Sequence, residues 1–318
     1  MTIKDVAKKA GVSISTASYA LNNRPNVNPK TREKILEVAE SLGYYPNAHA
    51  RNLKTRKSRN IGVFIYGFGG PIFSDLLEGI NLELQKKDYN IIVSSGKASS
   101  IILRERGVDA AIIFDNNISD QEIMQYSRNH PIVVLDRYLE GKNVFHSMIE
   151  NQHLVYNFMS EIIEEKKFKK ISYLSGPIDS FNNQERYKGF LQALEDKGLK
   201  EYQHIEGDFT ISSGYKAGLE LISKNDFPDF IYCANDELAV GLIKAFNEKG
   251  IEIPNKISLA GFDGIALNEY ITPKLTTIEI NHFEWGRQIA GFLTKVLVNK
   301  NVYPLTNPEA QVKRRESV

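Results

Sequence analysis

Over the first 45 positions, apolar residues recur at helical spacing in three short segments set apart by helix breakers. Ile3, Val6, Ala7 and Ala10 share one face behind Thr2, which with Asp5 makes a capping-box-like start, and Gly11 ends the segment. Ser13 is placed to cap a second helix over 14–21, in which Ala17, Ala20 and Leu21 turn inward while Ile14, Ser15, Ser18 and Tyr19 turn outward. Asn28 and Pro29 open a third helix whose stripe reads Ile35, Leu36, Ala39 and Leu42, with Gly43 as its stop. Small residues at Ala7, Gly11 and Ala17 let the first two helices cross closely, as a helix-turn-helix demands.

From Asn60 onward the rhythm changes. Apolar runs at 61–65, 90–93, 110–114 and 132–135 are followed by a second set at 170–174, 230–233 and 257–261. Helices are predicted between them from about 74 to 87, 182 to 197 and 236 to 249. Two rounds of βαβ alternation predict two similar lobes, each a parallel sheet wrapped by helices, with a ligand held at the carboxyl ends of the strands between them.

Charge sharpens this division. The chain of 318 residues has a formal net charge of +1, yet positions 1–60 hold twelve basic and four acidic side chains, a net +8 that leaves −7 for the rest. A basic head on an acidic body is the layout expected when only the head meets a polyanion. The single cysteine, Cys233, lies in an apolar run and reads as a small buried hydrophobe; it excludes an intrachain disulfide. Six histidines are scattered without ligand spacing, so no metal and no cofactor is expected. No apolar run approaches the roughly 20 residues that span a bilayer, and the N-terminus lacks a signal-peptide core, which predicts a cytoplasmic protein with no membrane partner.

The residues of the head carry a family resemblance. Ile3-Lys4-Asp5-Val6-Ala7, Ala10-Gly11-Val12-Ser13, Thr16-Ala17-Ser18, Val27-Asn28-Pro29-Lys30-Thr31-Arg32 and Leu42-Gly43-Tyr44-Tyr45-Pro46-Asn47 stand in one register that resembles the headpiece of the lac-repressor/galactose-repressor family. The resemblance implies that the second helix enters the major groove, and it assigns DNA contact to Thr2, Ser13, Ile14, Ser15, Thr16, Ser18, Tyr19 and Asn22. Many relatives carry arginine where this chain has Tyr19; a phenol cannot fork onto guanine, so the operator half-site is expected to differ. Positions 46–59 resemble the family's hinge helix, in which Asn47 caps, Ala50 permits close approach and Leu53 wedges between base pairs, with His49 and Arg51 as further DNA contacts. A helix this short is unstable alone and needs a second copy to order it.

The body resembles the same family's periplasmic-binding-protein-like domain through Leu174-Ser175-Gly176-Pro177, Arg186-Tyr187-Lys188-Gly189-Phe190, Ala234-Asn235-Asp236, Gly261-Phe262-Asp263 and Thr272-Pro273-Lys274-Leu275-Thr276-Thr277. Between 94 and 108 the chain lacks part of a helix that relatives carry. The resemblance transfers the effector site onto Arg186, Asn235 and Asp263: a guanidinium fork, an amide and a carboxylate suited to a sugar's hydroxyls. Phe209 falls where an aromatic lies under the ligand, Phe73 falls on the cleft side of the first lobe, and Asp136, next to Arg137, is a further candidate.

The expected fold is thus an all-α helix-turn-helix headpiece (1–45), a hinge (46–59) and an α/β body of two Rossmann-like lobes (60–318), lobe 1 over 60–157 and 282–309 and lobe 2 over 158–281 and 310–318. The expected function is sequence-specific repression of carbohydrate-utilisation genes by a homodimer on a near-palindromic double-stranded operator, modulated by a small-molecule effector, a sugar by resemblance. A purine or a phosphoprotein corepressor, both known in branches of the family, are alternatives. A plain sugar-binding protein does not account for the basic head. An enzyme is the remaining class. The glycines at 67, 69 and 70 fail the dinucleotide fingerprint because its third glycine would fall on Ile72, and no nucleophile elbow or zinc-binding histidine pair is present.

Overall fold

The computed structural model describes residues 1–45, 57–105, 107–135, 137–298 and 304–318. The chain divides into two compact units, Met1–Ser58 and Arg59–Val318.

The first unit holds α1 (Ile3–Ala10), α2 (Ile14–Leu21) and α3 (Pro29–Ser41). Each start is fixed locally. The Thr2 backbone N–H and hydroxyl both donate to the Asp5 carboxylate (2.8 and 2.9 Å), Ser13 Oγ accepts from Thr16 N (3.0 Å), and Asn28 Oδ1 accepts from Lys30 N ahead of Pro29. Gly11 ends α1 in the left-handed conformation (φ 70°), where a side chain would be strained. The core is built mostly from small residues, Ala7, Ala10, Ala17, Ala20 and Ala39, around Val6, Val27 and Ile35. Leu36 corrects the expected stripe. It is 48% exposed, whereas Val38 packs on the core. The inward set is 35, 38, 39 and 42, and Leu36 lies about 100° around the helix from Ile35.

The second unit is built on two sheets. The first has five parallel strands in the order β2-β1-β3-β4-β5, formed by β1 (Asn60–Ile65), β2 (Asn90–Ser95), β3 (Ala110–Phe114), β4 (Ile132–Val134) and β5 (Val144–His146). Its connecting helices are α4 (Pro71–Gln85), α5 (Lys97–Arg104) and α6 (Asp120–Ser127); α5, between the positions where the sequence falls short, has only two turns. The second sheet comprises β6 (Ile171–Leu174), β7 (Glu201–Ile205), β8 (Phe230–Cys233), β9 (Ser258–Asp263), β10 (Thr276–Ile280) and β11 (Ala310–Lys313), in the order β11-β10-β9-β8-β6-β7. All its pairings are parallel except β10 with β11. Its helices are α7 (Asn151–Lys166), α8 (Phe181–Asp196), α9 (Ile211–Lys224) and α10 (Asp236–Glu248), while α11 (His282–Val298) returns to pack on α4 of the first lobe.

The chain therefore passes between lobes three times. The boundary expected at 157 falls inside α7, an unbroken helix packed on α8; the first passage lies ahead of it, at 147–150. The passages are tied together. Trp285 Nε1 donates to Ser147 Oγ (2.6 Å), Ser147 Oγ to the Thr306 carbonyl (2.8 Å), and Met148 N to Asn307 Oδ1 (3.0 Å).

Within each lobe a pair of helices touches backbone to backbone through reciprocal glycines. A Cβ on Gly79 of α4 would stand 2.0 Å from the Phe283 carbonyl oxygen of α11, and one on Gly286 of α11 would stand 2.3 Å from that of Leu76. In the second lobe Gly214 of α9 and Gly241 of α10 meet the Leu238 and Ile211 carbonyls in the same way.

Candidate functional site

On the head, α2 leaves Ile14 and Tyr19 each 47% exposed, with Ser15 exposed and Ser18 half-buried beside them. Ser13 and Thr16 bond each other through their hydroxyls (2.8 Å), and Asn22 Nδ2 is tied to the Ser18 carbonyl (2.7 Å). Thr2 is exposed, its hydroxyl engaged by Asp5. Lys4, Lys8, Lys9, Arg24, Lys30 and Lys34 are all exposed, so the excess positive charge stands on the surface. Asn47, His49, Ala50, Arg51 and Leu53, and Asp136 in the body, lie outside the described residues.

In the body, each sheet reverses strand order once, between β1 and β3 in lobe 1 and between β6 and β8 in lobe 2. At such switch points adjacent loops leave in opposite directions and open a crevice. The two crevices face a cavity of about 310 Å³. From lobe 1 come Tyr66, Gly67, Gly69 and Gly70 after β1, Ile72 of α4, and Phe114 at the end of β3; Ile149 comes from the first passage. From lobe 2 come Asn182 and Arg186 of α8, Asp208, Phe209 and Thr210 after β7, Asn235 and Glu237 after β8, and Asp263 at the end of β9.

Arg186 organises the second wall. It is 4% exposed, and its Nε donates to Asn151 Oδ1 (2.8 Å), Nη1 to the Ala234 carbonyl (2.6 Å) and Nη2 to Asp263 Oδ1 (3.3 Å). Its guanidinium lies 3.6 Å above the Phe262 ring, an arrangement a lysine could not reproduce. Asp263 takes φ 109°, a conformation that side chains rarely adopt and that costs about 1–3 kcal/mol. Burial pushes its carboxyl up to about 6 against the pull of Arg186. Behind it Asp236, fully buried, is pushed up to about 7 by burial and by Asp263, although Thr277, Asn268, and the backbone N–H groups of Ile265 and Gly264 all donate to it. Burial and Asp263 also raise Glu237.

Asn235 divides its amide: Oδ1 accepts from Leu238 N (3.0 Å) and so caps α10, and Nδ2 donates to the Phe209 carbonyl (3.0 Å). Phe209 has φ 69° and lays its ring across Gly176, where a Cβ would stand 2.3 Å from the ring. The structure thus brings Arg186, Phe209, Asn235 and Asp263 to one cavity. Phe73 is not among its lining residues. It is 2% exposed in the lobe 1 core, edge-on to Tyr66 (4.9 Å) and Phe114 (5.7 Å), and those two rings take the wall in front of it. Tyr66, Asp208 and Glu237 were passed over by the sequence reading. Each lies just beyond a strand's carboxyl end, a positional signal that would have found it.

Among the described residues no group of histidine, cysteine, aspartate and glutamate side chains could hold a metal ion, and no helix is long and apolar enough to cross a membrane.

Residues 2–47 match the family described as bacterial regulatory proteins, lacI family, and residues 161–318 match the periplasmic binding protein-like domain. Catabolite control protein A of Priestia megaterium is 31% identical over 313 residues, 95% of this chain and 94% of that protein. The chain belongs to the lacI family of bacterial regulatory proteins. As a member of that family it is a sequence-specific DNA-binding transcriptional regulator whose two-lobed body answers to a small-molecule effector. Two solved relatives match the body closely. A sugar-binding transcriptional regulator of the lacI family from Enterococcus faecalis is 31% identical over 81% of this chain and 97% of that one, with a TM-score of 0.73. A lacI-family transcriptional regulator from Enterococcus faecium with bound ribose is 27% identical over 81% of this chain and 98% of that one, with a TM-score of 0.74.

Proposed function

We propose that this regulator represses carbohydrate-utilisation genes and that its effector is a sugar bound in the cavity between the lobes. The observation that carries this reading is the pairing of walls. A fork of guanidinium, amide and carboxylate groups on Arg186, Asn235 and Asp263 offers donors and acceptors to hydroxyls, while Phe209, Phe114 and Tyr66 offer aromatic surface to the C–H faces of a ring. The solved relatives described as sugar-binding and as ribose-bound support it.

On the same reading two copies of the chain hold two heads on a near-palindromic operator. Ile14, Ser15, Ser18 and Tyr19 face the major groove of each half-site, and Leu53 enters the minor groove at the centre. Ligand alters the angle between lobes and so the geometry in which the hinges meet, and linkage then requires operator to change effector affinity by the same factor.

The test has two steps. Thermal melting of the purified chain against a panel of sugars and nucleobases identifies the binder, because a ligand that binds only the folded state raises the melting temperature. Anisotropy of a labelled operator is then titrated with protein, with and without that binder. A sugar that raises the melting temperature and shifts operator affinity is the expected result; a nucleobase that does so in its place would replace the sugar in this reading.

A further inference from the structure

We infer that the cavity selects a ligand without negative charge, a neutral polyhydroxylated ring or its amine-bearing analogue, and that it excludes phosphorylated and carboxylated sugars. The inference rests on the reading of this cavity as the effector site and narrows the class of molecule it takes.

Among the described lining residues three carboxylates, Asp208, Glu237 and Asp263, stand against one guanidinium, and no lysine or histidine is present. That one cation is already paired. Three of its five N–H donors go to Asn151, the Ala234 carbonyl and Asp263, and its face to Phe262. An entering phosphate would have to share the charge of Arg186 with Asp263, which is 6% exposed and has no other cation lining the cavity among the described residues.

Helix N-termini are the other source of positive potential in such a fold. Among the described residues five helices begin beside the cavity, α4, α7, α8, α9 and α10. Ser180, Thr210 and Asn235 each take one N–H at the start of α8, α9 and α10, those of Asn183, Ser213 and Leu238. α4 and α7 start without a side-chain cap; α7 follows the acidic Glu150, and the first residue of α4, Pro71, has no N–H to offer. A carboxylate oxygen of Glu237, from the opposite lobe, stands 3.8 Å from the point where a Gly70 Cβ would lie. The start of α4 therefore already has an anion beside it. Hydroxyl or ammonium donors would meet the opposite situation. Burial and proximity to Asp263 raise Glu237, and burial raises Asp263 against Arg186, so a donor placed between them relieves crowded negative charge.

The experiment is calorimetry and thermal melting on the full chain with matched sets: for each of several hexoses and pentoses, the neutral sugar, its 2-amino analogue, its terminal phosphate and its uronate. In any set that binds, the neutral or amino member is expected to bind, with the phosphate and uronate weaker by about tenfold or more. Glu237→Gln, which removes a charge at nearly constant volume, is expected to narrow that gap and to weaken the amino member most. An anionic member that binds as tightly as its neutral parent, and loses affinity in Gly176→Ala, overturns the inference while leaving the cavity as the effector site. A binder of any charge that is indifferent to both Glu237→Gln and Gly176→Ala, each shown to be folded by circular dichroism, overturns the effector-site reading itself, and the failure of every member to bind overturns this inference together with the sugar reading.

Discussion

Lobe 1 brings to the cavity two aromatic rings, an isoleucine and a run of glycines; lobe 2 brings the Phe209 ring, a guanidinium, amides, a hydroxyl and all three described carboxylates. Both walls come from the carboxyl ends of parallel strands, so topology does not make the difference. What differs is how each lobe satisfies its own polar groups. Lobe 2 holds Arg186 and Asp263 in a buried network continuous with Asn151 and Asp236, which fixes donors and acceptors in space before any ligand arrives. Lobe 1 presents backbone and ring surface that can approach a ligand closely but distinguishes little beyond shape. On the proposed reading, lobe 2 reads the ligand's identity and lobe 1 closes over it.

The strongest way to break this comparison is Arg186→Ala. Loss of a buried ion partner typically costs about 3–5 kcal/mol, so chemical denaturation should show a loss of that size together with loss of ligand response. A loss below about 1 kcal/mol would mean that Asp263 finds other compensation and that the network is not the organising feature.

Acidity probes the same wall. Asp236 and Asp263 titrate at about 7 and about 6 in the folded chain and near 3.9 when unfolded, so between those values the folded state binds more protons. Raising the pH from about 5 to about 8 should therefore lower stability, with a slope on the order of 1 kcal/mol per pH unit. Two histidines work the other way, His282 and, lowered by burial as well, His146. His282, pushed down to about 3 by burial and by Arg186, favours folding as the pH rises to about 6.5. Above about pH 7 the unfolded histidines are mostly neutral too, and the fall expected between about 7 and 8 belongs to the carboxyls. Stability that rises across that window in denaturant titrations would refute the assignment.

Gly176→Ala drives a methyl into the Phe209 ring and should cost about 1–3 kcal/mol, with weaker ligand binding, read by melting and calorimetry. Tyr66→Phe, on the opposite wall, should leave stability unchanged and reduce ligand affinity by less than about tenfold. If it cost as much affinity as a change at Arg186, the division of labour between the walls would fail.

Much of the head was legible because its signals are local. Ser13 and Asn28 start their helices through contacts two or three residues away, and Pro29 through its own fixed backbone angle. Leu36 misled for the complementary reason: at the margin of a stripe, the angle that separates core from solvent depends on which neighbours the other helices supply. In the body the apolar central strands stood out, whereas β7, with the polar sequence Glu201-Tyr202-Gln203-His204-Ile205, lies at the sheet edge and has no buried run to betray it. The same limit governed the cavity. Arg186, Phe209, Asn235 and Asp263 were nominated by resemblance, but the exchange of Phe73 for Tyr66 turns on which aromatic of a three-ring cluster faces outward, a matter of packing rather than pattern.

The reciprocal glycine contacts of α4 with α11 and of α9 with α10 carry a mechanical consequence. Helices pressed together at their backbones have no side-chain cushion to shear, so each lobe resists internal deformation. Work done on the molecule by an arriving ligand then has little place to dissipate within a lobe. On the proposed reading it is delivered to the three passages tied at Ser147, Trp285 and Thr306, where two stiff arms meet.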